Sequence, residues 1–105
     1  QLTNLRELSL NSNPISYLPS GIGQLTKLDT LDLSYTNISS IRKTLTNLRD
    51  LRTLNLAHTR CGVPPSFLRQ LRRLHVLALD KEQAEAYKNS PSIPLDIKWI
   101  IKSTE

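Results

Sequence analysis

Cys61, with His58 three residues before it, is the one pairing in this 105-residue chain that could supply a nucleophile and its base. A cysteine attacks as the thiolate, so it needs an exposed, electropositive setting and a base within reach. There is no second cysteine and only one further histidine, His75, too few ligands for the usual fourfold zinc set. Asp29 and Asp32 lie close in sequence but face differently, and Gly21 and Gly23 have no phosphate-cradling context. Arginine is more plentiful. Between residues 42 and 73 stand Arg42, Lys43, Arg49, Arg52, Arg60, Arg69, Arg72 and Arg73 against a single acid, Asp50. Such a ridge on one flank could meet phosphates, an anionic membrane or an acidic protein. It lacks the aromatic interleaving of single-strand nucleic-acid binders, and no major-groove reading helix accompanies it.

Whether any of these groups can act depends on what positions them, and here the leucines decide. The stretch from Leu25 to Leu33 reads LTKLDTLDL, with leucine at 25, 28, 31 and 33. The pattern returns every 23 residues, as Leu2, Leu5, Leu8 and Leu10, as Leu48, Leu51, Leu54 and Leu56, and as Leu71, Leu74, Leu77 and Leu79. A period of this size means stacked supersecondary units, none of which can bury its own leucines. Within each unit Leu31-x-Leu33 and its equivalents alternate as a half-buried strand does, leucines to one side and Thr30, Asp32 and Ser34 to the other. Each strand must then lie parallel to its equivalent, about 4.8 Å away. An inward aliphatic site follows, filled by Ile15, Ile38 and Cys61. Cys61 therefore reads as a small buried hydrophobe, and His58 points to the other side of the sheet. An enzyme is not indicated, nor is a cofactor or a metal.

The outward side chains form rows across the strands. One row is Glu7, Thr30, Thr53, Val76 and Trp99; the next is Ser9, Asp32, Asn55, Ala78 and Ile101; a third is Ser12, Tyr35, His58 and Lys81. Thr30, Asp32, Tyr35, Thr53, Asn55, His58, Val76, Ala78, Lys81 and Trp99 are the candidate partner contacts. Trp99 reads equally as a contact or as a lid on the core. Asn13, Thr36 and Thr59 close the turn after each strand, with side chains able to bond the exposed backbone of a neighbouring coil.

The run Leu5, Leu8, Leu10, Asn13, Ile15 resembles the leucine-rich repeat consensus L-x-x-L-x-L-x-x-N-x-L. With Thr36 and Thr59 in the asparagine place and Leu18-Pro19-x-x-Ile22 on the return limb, the units look like those of plant intracellular immune receptors and of leucine-rich-repeat bacterial effectors. Pro64 stands where the other units have Leu18 and Ile41. The resemblance implies an α/β solenoid: a short-stranded parallel β-sheet on the concave face, short helical turns on the convex side. It also implies non-catalytic binding of a heterologous protein, one whose working surface is sensed or covered. The competing class is electrostatic binding of nucleic acid or membrane through the arginine flank.

Residues 1–81 divide into four 23-residue units, and residues 82–105 form a degenerate fifth that caps them. Residues 82–89 read as a short exposed helix. The β-prone run from Ile97 to Ile101 is the candidate fifth strand, since a further step of 23 carries Leu74 and Leu77 onto Ile97 and Ile100. An amphipathic helix starting at Asp96 is the alternative. On the convex side, Pro64-Pro65-Ser66 followed by 67–71 is the best helical start. The net charge of +5 suits an acidic partner, and a lone cysteine fits a reducing, intracellular setting. No apolar run approaches the roughly 20 residues of a membrane span. The start at Gln1, inside a repeat, reads as a piece of a longer protein.

Overall fold

Five short parallel strands lie side by side in chain order: β1 (Glu7–Ser9), β2 (Thr30–Asp32), β3 (Thr53–Asn55), β4 (Val76–Asp80) and β5 (Lys98–Lys102). The computed structural model describes residues 4–41, 43–62, 66–91, 93 and 96–102, with no side-chain description at 20, 43 and 44. Leu2, Arg42, Pro64, Pro65 and the Lys43 side chain, all named above, lie outside the described residues. From β1 to β4 the register follows the 23-residue step, so Leu8, Leu31, Leu54 and Leu77 stand in one ladder. The return limbs carry 3₁₀ turns at Ser20–Gln24, Lys43–Asn47 and Leu68–Gln70. This is the expected solenoid.

Leucines fill the space between sheet and turns. Leu31, Leu54 and Leu77 are fully buried, as are Leu33, Leu56 and Leu79. From the return limbs Leu18, Ile22, Ile41, Leu45 and Leu68 meet them, with Cys61 and Ile38 at the inward turn site. In the first coil Leu5, Leu8, Leu10 and Ile15 are only half-buried, because among the described residues no coil stacks beyond β1. Each fully buried leucine contributes roughly 1.5–3 kcal/mol by leaving water.

The turn residues act within their own coil rather than on a neighbour, which corrects the expectation. Asn13 Nδ2 donates to the Leu10 carbonyl at 3.0 Å, and the Thr36 and Thr59 hydroxyls donate to Leu33 and Leu56 at 2.8 Å each. Neighbouring coils are joined there by backbone bonds instead, Asn37 N to Ile15 O and Arg60 N to Ile38 O. A threonine hydroxyl reaches three residues back in a tight turn more easily than it spans to another coil.

The last quarter opens with a helix in place of the turn. Helix α1 (Lys81–Tyr87) starts at Asp80, whose carboxylate accepts from Gln83 N at 2.8 Å while Gln83 Oε1 accepts from Asp80 N at 2.9 Å. This reciprocal capping box fixes the start. The helix is not the exposed one expected: Gln83 and Tyr87 are buried. Gln83 Nε2 donates to the Leu56 carbonyl at 2.8 Å and to Thr59 Oγ1 at 3.1 Å, and Tyr87 Oη donates to the Cys61 carbonyl at 2.6 Å. Helix α1 thus satisfies polar groups of the third coil, and the Cys61 carbonyl takes from Tyr87 what the Ile15 and Ile38 carbonyls take from backbone N–H groups of the next coil.

Beyond α1 the chain returns as β5, a strand and not a helix. Its register steps by 22, pairing Val76 with Lys98 and Leu77 with Trp99. A slip of one residue turns every side chain to the other face. Trp99 therefore belongs to the inward ladder and packs half-buried against the core, not in the outward row. Nothing in a connection made of a helix enforces the leucine spacing that holds the earlier coils in step. Lys98 and Lys102 stand at the two ends of β5.

Candidate protein-binding face

Outward from β1 to β4 the sheet presents Glu7, Thr30, Thr53 and Val76 in one row and Ser9, Asp32, Asn55 and Ala78 in the next. Lys98 and Ile100 complete these rows in place of Trp99 and Ile101. Thr30, Thr53, Val76, Asp32 and Asn55 are half-exposed. Ala78, a methyl between the longer side chains of Asn55 and Ile100, is 3% exposed and has no contact surface of its own.

Two of these groups also shape the turn beside them. Asp32 Oδ1 accepts from Ser34 N at 3.0 Å and Ser34 Oγ at 2.7 Å, and Asn55 Oδ1 accepts from Ala57 N at 3.0 Å. Such side-chain turns support the left-handed backbone three residues on, where Ser12, Tyr35 and His58 have φ of 61°, 58° and 60°. That conformation is uncommon for side chains other than glycine, asparagine and aspartate. Here it lifts Tyr35 and His58 out at the C-terminal rim of the sheet, where their rings stack at 4.6 Å and 21°. Tyr35 is 49% exposed; the His58 side chain lies largely beneath it, with Nδ1 3.6 Å from Asp80 Oδ2. His58 N donates to the same oxygen at 3.1 Å. Lys81 does not extend this row, because it enters α1 and its backbone is helical. A cleft of about 310 Å³ beside the stack is lined by Asn11, Asp32, Tyr35, Asn55 and Lys102, among others.

The arginines divide between places rather than forming one flank. Arg49, Arg72 and Arg73 line a groove of about 620 Å³ with Thr46, Asn47 and Gln70. Arg52, Arg73 and His75 line another of about 540 Å³ with Thr53 and Val76. His75 N donates to the Arg52 carbonyl at 2.8 Å, so the two positions are adjacent rungs. Arg60 lines a separate hollow with Asp80 and Glu82, and Arg69 donates to the Pro91 carbonyl at 3.2 Å. Residues five or more past a strand's end, or on the return limb, cannot share the rim at its start.

Cys61 is 1% exposed, and its thiol donates to the Ile38 carbonyl at 3.5 Å. Burial pushes the thiol pKa up, with the Thr59 hydroxyl only partly opposing it. A thiol so placed stays protonated and is not a nucleophile. Burial likewise raises the Tyr87 phenol, aided by Cys61 and Asp80. Tyr87 and Gln83 are the residues that sequence reasoning missed. The spacing Asp80-x-x-Gln83 was a usable signal for the second. Among the described residues no helix is long and apolar enough to cross a membrane.

A family model described as a leucine-rich repeat region matches residues 1–92. Among solved structures the chain is similar to a leucine-rich repeat protein of Leptospira interrogans, with a TM-score of 0.70 and 32% identity. That match covers 86% of this chain and 24% of the other, so the chain spans about a quarter of its length. No curated protein matches.

Proposed function

The chain belongs to the leucine-rich repeat family, and from that premise we propose that it is a recognition module gripping a heterologous protein on the concave face of its sheet. Domains of this family generally bind proteins and generally carry no enzyme activity. The observation that carries the reading is the outward face itself. Thr30, Thr53, Asp32 and Asn55 stand in register on a rigid ladder, and the exposed Tyr35 ring is seated on His58 at its rim. Hydroxyl, amide and carboxylate groups held by backbone pairing lose little entropy when a partner docks. A half-exposed tyrosine at the border is the kind of side chain that gains most from burial there.

Five strands give about 20 Å of breadth. With the rim loops this face offers about 800 Å² to a partner, within the range of a specific complex. The partner we favour is a signalling or effector protein whose working surface is sensed or covered. The setting we favour is intracellular, in keeping with a single, free and buried cysteine.

Affinity capture with the chain, followed by recapture with Tyr35→Ala and Asn55→Arg variants, tests the reading. A protein retained by the parent and lost by both variants is the expected result. Undiminished retention by both, with the variants folded, would contradict it.

A further inference from the structure

Arg49 and Arg72 hold the same place in successive coils, and Arg73 stands beside the second. All three are exposed on the rim where the strands begin and share one groove. Arg73 also lines the neighbouring groove with Arg52 and His75. The two grooves adjoin at this shared arginine, a channel in two segments. One end opens among Thr46, Asn47 and Gln70 of the convex turns, the other on Thr53 and Val76 of the concave face.

Charge in this channel is barely compensated. Asp50 lies 3.8 Å from Arg73, with the two side chains 48% and 60% exposed, and a pair so wet is worth little. The guanidinium groups of Arg49, Arg52 and Arg72 have no hydrogen-bond or ion partner among the described residues.

We infer that the channel takes an acidic segment of a protein partner, an extended run bearing Asp or Glu side chains that leaves the concave face across the rim. This rests on the concave face being the protein-binding one. Guanidinium groups match carboxylates in a two-pronged geometry, and equivalents on adjacent coils repeat about every 4.8 Å, so cations line the path of a chain. Among the described residues no aromatic ring except the His75 imidazole lines the channel, which leaves nucleobases little to stack on. Among the described residues the exposed large apolar side chains are Tyr17, Tyr35 and Ile101, none of them in the channel, so none is placed there to insert into a bilayer.

The test titrates the full chain with two labelled peptides of equal length, alternating Glu-Ala and alternating Gln-Ala, beside an oligo-dT strand and phosphatidylserine vesicles. The Glu-Ala peptide binds, more weakly between about 50 and 200 mM salt, and the Gln-Ala peptide does not. Arg72→Glu with Arg73→Glu weakens binding about tenfold or more. Arg60→Glu with Lys88→Glu, the same change of net charge away from the channel, alters it less than about twofold. If circular dichroism shows the reversed pair unfolded, Arg72→Gln with Arg73→Gln decides the matter by the same loss. Equal weakening by the two charge-reversed pairs would reduce the effect to net charge and overturn the inference. So would tighter binding of the oligonucleotide or the vesicles through the same arginines. If the parent ignores the Glu-Ala peptide while Asn55→Arg still abolishes partner capture, the acidic segment is excluded and the concave reading stands. If Tyr35→Ala and Asn55→Arg both leave capture intact, the concave reading fails and this inference falls with it.

Discussion

Tyr87 Oη donates a 2.6 Å hydrogen bond to the carbonyl of Cys61, tying the end of α1 to the inward turn of the third coil. Both residues are almost fully buried, so neither group has water to fall back on. Tyr87→Phe leaves that carbonyl unsatisfied and is expected to cost about 1–3 kcal/mol, read as a lower urea midpoint at unchanged slope. Tyr87→Ala removes the ring as well and should cost about 3–5 kcal/mol.

The same burial gives an alkaline limit to stability. The folded-state pKa values of Tyr87 and Cys61 are both raised, so above their ordinary values the unfolded chain has released protons that the folded chain still holds. Their contribution is complete below the unfolded values and falls as pH rises from about 9 upward. Urea melts from pH 7 to about 11 should show this decline, with a shallower slope in Tyr87→Phe. An identical slope in parent and variant would remove Tyr87 from the explanation.

Cys61 provides a chemical check on the core. In the native chain iodoacetamide should leave the thiol unmodified, because it is buried and held protonated. In urea past the transition it should be alkylated at the rate of an ordinary cysteine. Fast native labelling would put the inward turn site in the wrong place.

Position along the ladder sets the cost of losing a leucine. Leu54 is fully buried between coils on both sides, and Leu54→Ala should cost about 2–5 kcal/mol in a denaturant melt. Leu8 is half-buried at the first strand, so Leu8→Ala should cost clearly less. Equal losses at the two sites would argue against a stack whose stability is a sum of neighbour contacts.

These contrasts show what could be read from the chain alone. Leu8, Leu31, Leu54 and Leu77 were legible as a ladder because a fixed step of 23 admits only one parallel register. The outward placing of Thr30, Asp32, Thr53 and Asn55 followed from the same alternation. Trp99 was misplaced by one residue, since the helical connection before β5 is free of the spacing that governs the coils. Tyr87 lies one step of 23 beyond Pro64, in the place of the buried Leu18 and Ile41, so the recurrence did carry a signal for its burial, masked by a proline in the third unit and a helix in the fourth. The arginine flank split for a related reason: like charge in a sequence window does not place side chains on one rim, and Arg60 and Arg69 belong to other parts of the coil.

The central claim concerns the outward face, and one comparison bears on it most directly. A bulky cation at Thr53, mid-sheet, should block a docked protein; the same cation at Gln24, exposed on a convex 3₁₀ turn, should not. With the captured partner in calorimetry, Thr53→Arg is expected to raise Kd by about a hundredfold while Gln24→Arg leaves it within about twofold. The reverse order, or equal effects from both, would contradict a concave binding face.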